Sequence, residues 1–321
     1  MALLEFRPVG IYCPPADVYI DPTRKVSRAV ITHGHSDHAR RGMDAYLCTD
    51  LAEPTLRHRL GPKVRTQSLT YGQTIDLNGV KLSFHPAGHI LGSAQVRLEY
   101  RGEVAVITGD YKLDDDGLST PFEPLACQHF VTETTFALPL YHWPPQTEVY
   151  AAINDWWRRN QEMGKVSILM GYSLGKSQRI LKHLVADIGP IFCHPSIEAV
   201  NEIVRQQGFE LPPSRPLEPQ LQREDFHGAM IIAPPGALRG EWLDRIEPFT
   251  TGACSGWSLT RQPKFAPKAD RHFVLSDHAD WAGLNRAVQL TGAEHIYVTH
   301  GFTEVFHRWL EGRGHQVSSV A

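Results

Sequence analysis

The sequence predicts an α/β protein, a sandwich of two β-sheets with outer helices that is interrupted by a compact inserted α/β domain. Three observations predict it. Residues 1 to about 140 read as short β-branched strands, several of them followed at once by His or Asp. Residues 141–271 instead alternate helix-like and strand-like stretches, and from His272 the pattern of a strand followed by a ligand-type residue returns. The expected division is therefore 1–140 for the N-terminal part of the sandwich, 141–271 for the insertion and 272–321 for its C-terminal completion.

Each element has a local signal. Val18-Tyr19-Ile20 runs into Asp21, and Arg28-Ala29-Val30-Ile31-Thr32 runs into His33. Residues 46–49 and 95–100 are β-patterned, 80–84 precedes Pro86-Ala87-Gly88-His89, and 104–107 leads through Thr108-Gly109 to Asp110. In the insertion, 148–163, 176–187 and 196–207 read as helices, the last with a Ser start and Gly208 as its stop. Residues 166–171 and 230–233 read as buried strands, and Leu211-Pro212-Pro213-Ser214-Arg215-Pro216 as a connector. A strand at 273–276, a helix at 280–290 and the strand His295-Ile296-Tyr297-Val298-Thr299 before His300 complete the chain.

Composition narrows the function. Apolar content of 42% and charged content of 21% are those of an ordinary globular protein, and no stretch is apolar for long enough to cross a bilayer. The N-terminus has no basic start followed by an apolar run, so a cytoplasmic location and no membrane partner are expected. The five cysteines are odd in number, scattered and without a Cys-x-x-Cys pair, which speaks for buried thiols rather than disulfides or a thiolate site. A net charge of -3 gives no global attraction to polyanions, so nucleic acid must be held by local positive patches and metals.

His33-Gly34-His35-Ser36-Asp37-His38 packs three imidazoles and a carboxylate into six residues. Imidazole suits zinc and its neighbours, carboxylate neutralises charge, and a Gly/Ser loop lets alternate side chains converge. Such a run needs further ligands from elsewhere, and Asp21, His89, Asp110 and His300 all stand just past strand ends.

The order Asp, His-x-His-x-Asp-His, His, Asp, His resembles the metallo-β-lactamase superfamily over nearly the whole chain. Thr132-Glu133-Thr134-Thr135-Phe136, Ser276-Asp277-His278-Ala279-Asp280 and Val298-Thr299-His300-Gly301 resemble the motifs added in its β-CASP nuclease branch. The resemblance implies an αββα sandwich with a β-CASP insertion. It implies one metal on His33, His35 and His89, a second on Asp37, His38 and His300, Asp110 bridging the two, and Asp21 supporting a ligand from behind. Zinc is the favoured ion of the pair and manganese the alternative, because carboxylate suits manganese too.

Two divalent metal ions bridged by a carboxylate can acidify a shared water and hold it in line with a phosphoryl group. His278 is the candidate acid for the departing oxygen, with Glu133 fixing its tautomer, as the resemblance implies; Asp37 and Asp110 complete the catalytic set. Gly171-Tyr172-Ser173-Leu174-Gly175-Lys176-Ser177 is one residue short of a phosphate-binding P-loop, which removes an ATP site. What survives is a helix start where Ser173, Gly175, Lys176 and Ser177 could hold a nucleic-acid phosphate, with an ordinary helix start the alternative. Arg57, Arg59, Lys63 and Arg65 form one basic cluster, and Arg261, Lys264, Lys268 and Arg271 a second that follows Trp257, whose indole could stack on a base if exposed.

The expected function is phosphodiester hydrolysis by a metal-dependent nuclease. The whole chain most resembles the bacterial ligase-associated DNA damage response exonucleases, which implies DNA as substrate and a DNA ligase and helicase as pathway partners. His300 is the form more usual in RNA-cutting relatives, and keeps an RNA-processing enzyme as the alternative. A small thioester or lactone hydrolase has no evident use for the insertion. A non-catalytic scaffold has no use for a full ligand set.

Overall fold

The computed structural model describes residues 2–239, 242–260 and 268–320. The chain divides into two units, Met1–His142 with His278–Ala321, and Trp143–Asp277.

The discontinuous unit holds two sheets. One runs in the order Glu5–Arg7, Gly10–Cys13, Val18–Ile20, Ala29–Val30, Tyr46–Thr49, Thr66–Leu69, and is parallel from Val18–Ile20 onward. The other runs Gln316–Ser319, His295–Gly301, His129–Thr134, Glu103–Ile107, Ala94–Tyr100, Val80–Pro86, Thr74–Leu77, parallel through its first four strands and antiparallel after them. Strand periodicity sorts their side chains. Ala105 and Ile107 join Val30, Leu47, Phe84 and Val96 between the sheets, whereas Val106 faces the other way, into the layer of Leu284, Val288 and Phe306. That outer layer comes from the helices Trp281–Thr291 and Thr303–Glu311, and Glu53–Leu60 covers the opposite sheet through Leu56 and Leu60. The unit is an αββα sandwich.

The inserted unit is one parallel sheet in the order Arg215–Pro216, Ile191–Cys193, Met230–Ala233, Val166–Met170, Phe249–Cys254, Arg271–Phe273. All five residues of Val166–Met170 are buried, as a strand covered on both faces requires. Leu169 packs with Ile153, Trp157 and Leu181 on the helical face, and Ile168 with Phe192, Phe226 and Ile246 on the other. Ser167 is tolerated there because Asn160 donates to its hydroxyl at 2.8 Å.

Two expectations change. The segment expected at 273–276 within the sandwich pairs instead as Arg271–Phe273 with Phe249–Cys254, and Phe273 lies edge-on to Trp156 in the insertion's core. The helix expected at 176–187 ends at Lys182, because Asn154 takes over the following backbone, donating to the His183 carbonyl and accepting from the Val185 N–H, both at 3.0 Å. All five cysteines are free and buried. Among the described residues no helix is long and apolar enough to cross a membrane.

Candidate metal centre

Strand direction gathers the expected ligands. Ile20 pairs in parallel with Val30, so Asp21 and the Thr32-His33 step leave the first sheet at one edge. In the second sheet Ile107 pairs with Val131 and Glu133 with Thr299, again in parallel, so Asp110, Glu133 and His300 share an edge. Val80–Pro86 runs the same way, being two antiparallel steps from Glu103–Ile107, and delivers His89 there too.

His33 Nε2 lies 3.1 Å from His35 Nδ1, and His89 Nε2 lies 3.1 Å from the same atom. Asp110 Oδ2 is 3.5 Å from His33 Nε2 and 3.8 Å from His89 Nε2. His33, His89 and Asp110 are buried and His35 is half-buried. Burial, with the neighbouring His38, holds the His33 pKa well below its ordinary value, which favours the neutral imidazole that can donate a lone pair. Three imidazoles and one carboxylate with donor atoms all within 4.8 Å of one another make a set that suits zinc or a close neighbour. These residues fit a divalent cation.

His38 is placed from behind. Its Nδ1 donates to Asp21 Oδ2 at 2.7 Å, and Thr32 fixes that carboxylate with its N–H at 2.9 Å and its hydroxyl at 2.5 Å. The arrangement turns His38 Nε2 to Asp110 Oδ2, 3.4 Å away. Burial opposes charge on His38, but Asp110 and Asp21 outweigh it and raise its pKa well above the ordinary value. For Asp110 too burial is outweighed, by His38 and His278, and its pKa falls well below the carboxylate range. Asp37 is exposed, with Oδ2 3.8 Å from His38 Nε2, and the exposed His300 ring lies 5.6 Å from that of His38, centroid to centroid. The His300 backbone has φ 53°, and Gly301 follows at φ 87° with its Cα so close that a Cβ would meet the Thr134 carbonyl at 2.3 Å.

Asp110 also belongs to a second group. His278 Nδ1 lies 2.9 Å from both Glu133 oxygens, and Glu133 Oε1 also accepts the Tyr111 N–H at 2.9 Å. Glu133 is buried and His278 is 23% exposed in its side chain, which ties an accessible imidazole to a fixed acceptor. Donor atoms of Asp110, Glu133 and His278 also lie within 4.8 Å of one another, and the His278 and His89 rings are 4.8 Å apart.

Other expectations meet burial. Lys176 and Ser177 are buried, Lys176 Nζ pairs with Asp277 Oδ2 at 3.1 Å, and the Gly175 N–H donates to Gln178 Oε1 at 2.8 Å. A buried cation must be paired, and Asp277 pairs Lys176, so that ammonium is not open to a phosphate; the buried Ser177 Oγ has no hydrogen-bond partner among the described residues, and Ser173 bonds the Ser196 hydroxyl at 2.9 Å. Arg57 is held by Glu53 and Thr66, and Arg59 donates to the carbonyls of His35 and Ala39, bracing the six-residue run rather than facing solvent. Lys268 and Arg271 are exposed, while Arg261 and Lys264 lie outside the described residues. Thr32 and Tyr111 carry no functional signal in the sequence, since each holds a carboxylate that is distant along the chain, through its N–H and, for Thr32, its hydroxyl as well.

The chain is 32% identical over 307 residues to a "Probable DNA ligase" of Opitutus terrae, a match covering 95% of this chain and 30% of that protein. It is 29% identical over 303 residues to Endoribonuclease YSH1 of Kluyveromyces lactis and 23% over 288 residues to that of Schizosaccharomyces pombe, each match covering 74% of this chain and 38% of the relative. The chain belongs to the β-CASP branch of the metallo-β-lactamase superfamily. A solved protein of unknown function from Enterococcus faecalis V583 shares the fold, with a TM-score of 0.60, 11% identity, and coverage of 87% of this β-CASP chain and 76% of the other. This β-CASP chain spans 30 to 38% of the length of these curated relatives. No family model matches the sequence.

Proposed function

We propose that the chain is a metal-dependent nuclease, and that its substrate is DNA degraded from an end during repair in the cytoplasm. One observation carries the catalytic part: Asp110 belongs at once to the four-donor His cluster and to the Glu133–His278 group. A cation site and a proton donor that share one carboxylate can act on the same phosphodiester.

His33, His35, His89 and Asp110 would hold one divalent ion, and Asp37, His38 and His300 a second with Asp110 shared. When bound, the pair would supply Lewis acidity to a water and to a phosphoryl oxygen. Zinc fits the imidazole-rich set best, and manganese is the alternative. Asp21 fixes the His38 ring through Nδ1, so that Nε2 serves the site. Glu133 fixes His278 in the same way, and His278 Nε2 is the atom that would pass a proton to the departing sugar oxygen.

The relative named as a DNA ligase, matched along 95% of this chain, supports DNA and a ligase as a pathway partner, beside which the family resemblance implies a helicase. The relatives named as endoribonucleases support RNA as the second reading. The test offers end-labelled single- and double-stranded DNA, and RNA of the same sequence, to the purified chain with zinc or manganese. Stepwise shortening of DNA supports the first reading. Internal cuts in RNA move the assignment to the second, and no cleavage of any strand overturns both.

A further inference from the structure

Two aromatic residues flank a topological switch point of the inserted sheet. Val166–Met170 and Phe249–Cys254 are neighbours, paired Met170 to Ala253, yet the chain leaves the first toward Ile191–Cys193 on one side and the second toward Arg271–Phe273 on the other. Connections that diverge from adjacent parallel strands leave a crevice outside their carboxyl ends, and open α/β sheets bind ligands there. Tyr172 stands two residues past Met170, and the half-buried Trp257 four past Ala253.

Tyr172 is 60% exposed, yet it is not loosely held. Its carbonyl accepts the Ser177 N–H at 3.2 Å, and its ring centroid lies 5.6 Å from Lys176 Nζ. That ammonium is itself fixed, buried and paired with Asp277, the residue before His278. A ring backed by a fixed cation and open to water is a preorganised stacking surface, and tyrosine offers it at little cost in side-chain entropy. At the same edge Ser173 bonds Ser196, whose hydroxyl lies 2.8 Å from His194 Nδ1, giving polar groups that can meet a base edge.

We infer that this switch point is a binding site for an unpaired nucleobase, with Tyr172 as its stacking platform and Trp257 as a second wall. The inference rests on the nuclease reading and deepens it. A duplex keeps its base faces stacked inside, so the ligand is a single-stranded segment, ribose or deoxyribose alike.

The test is equilibrium binding of the full chain, with chelator present to prevent cleavage, to fluorescent thymine and uracil oligonucleotides and to an abasic strand of equal length. The wild type should prefer the base-bearing strands about five- to a hundredfold, the range that one stacked base gives. Tyr172→Ala should bring all strands to the abasic level, and Tyr172→Phe should keep the preference. The preference should hold as salt rises while all affinities fall together, because stacking releases no counterions. Equal binding of all strands by the wild type, or full preference retained by Tyr172→Ala, overturns the inference. Hydrolysis of bis-p-nitrophenyl phosphate by the metal-loaded wild type tests the nuclease reading separately, so either can fail alone.

Discussion

Both carboxylate oxygens of Glu133 lie 2.9 Å from a single atom, Nδ1 of His278, across 145 residues of sequence. The Tyr111 N–H holds the same carboxylate, so the His278 ring is oriented by a group that cannot easily turn. A tethered imidazole beside a cation site is what proton delivery to a leaving group requires.

His278→Ala should therefore lower kcat about a hundred- to ten-thousandfold while metal content stays at the wild-type level. Glu133→Gln should lower kcat less, because the amide can still hold the His278 ring but no longer offers it a carboxylate. Elemental analysis beside single-turnover rates checks both, and a wild-type rate in His278→Ala removes it from the reaction.

Asp21 touches no proposed cation, but it fixes His38. Asp21→Ala should weaken divalent-ion affinity about ten- to a hundredfold, as loss of a carboxylate behind a ligating histidine does. Chelator competition measures this without any substrate. Unchanged affinity would show that His38 keeps its orientation unaided.

Gly88 has φ 73°, and a Cβ there would meet the Lys112 carbonyl at 2.2 Å. Gly88→Ala should lose about 1–3 kcal/mol of stability from strain alone, and should displace His89 next to it. Denaturant midpoints and metal content should fall together.

Glu198 accepts from Ser214 at 2.6 Å, Arg205 at 2.7 Å and Asn201 at 2.9 Å, and so closes the connector after the helix Pro195–Gln206. Burial raises its pKa, but these partners outweigh burial and hold it below the ordinary 4.5. A folded value below the unfolded one stabilises at pH above 4.5, and that contribution disappears as pH falls through the folded value. Glu198→Gln should thus cost about 1–3 kcal/mol at neutral pH, with the gap to wild type closing in acid. Thermal melts from neutral pH downward check it.

Burial pushes the Cys48, Cys127, Cys193 and Cys254 thiols up to about 12 and raises Cys13 as well. Native protein at mildly alkaline pH should leave all five unlabelled by iodoacetamide, and unfolding should expose them all. Labelling of the native chain would place a thiol at the surface.

Local pattern by itself determined much of this protein. The strand Met230–Ala233, the helix Trp281–Thr291 and the six-residue run after Ala29–Val30 are all written in periodicity and residue type. Tertiary structure alone decided which charges are spent inside. Lys176 and Arg59 read as surface cations, yet one is buried against Asp277 and the other braces the carbonyls of His35 and Ala39. The physical reason is that periodicity records how a residue meets its near neighbours. Desolvation, and the partner that offsets it, come from segments that are not near neighbours in the sequence, 20 and 24 residues away for Arg59 and farther still for Lys176.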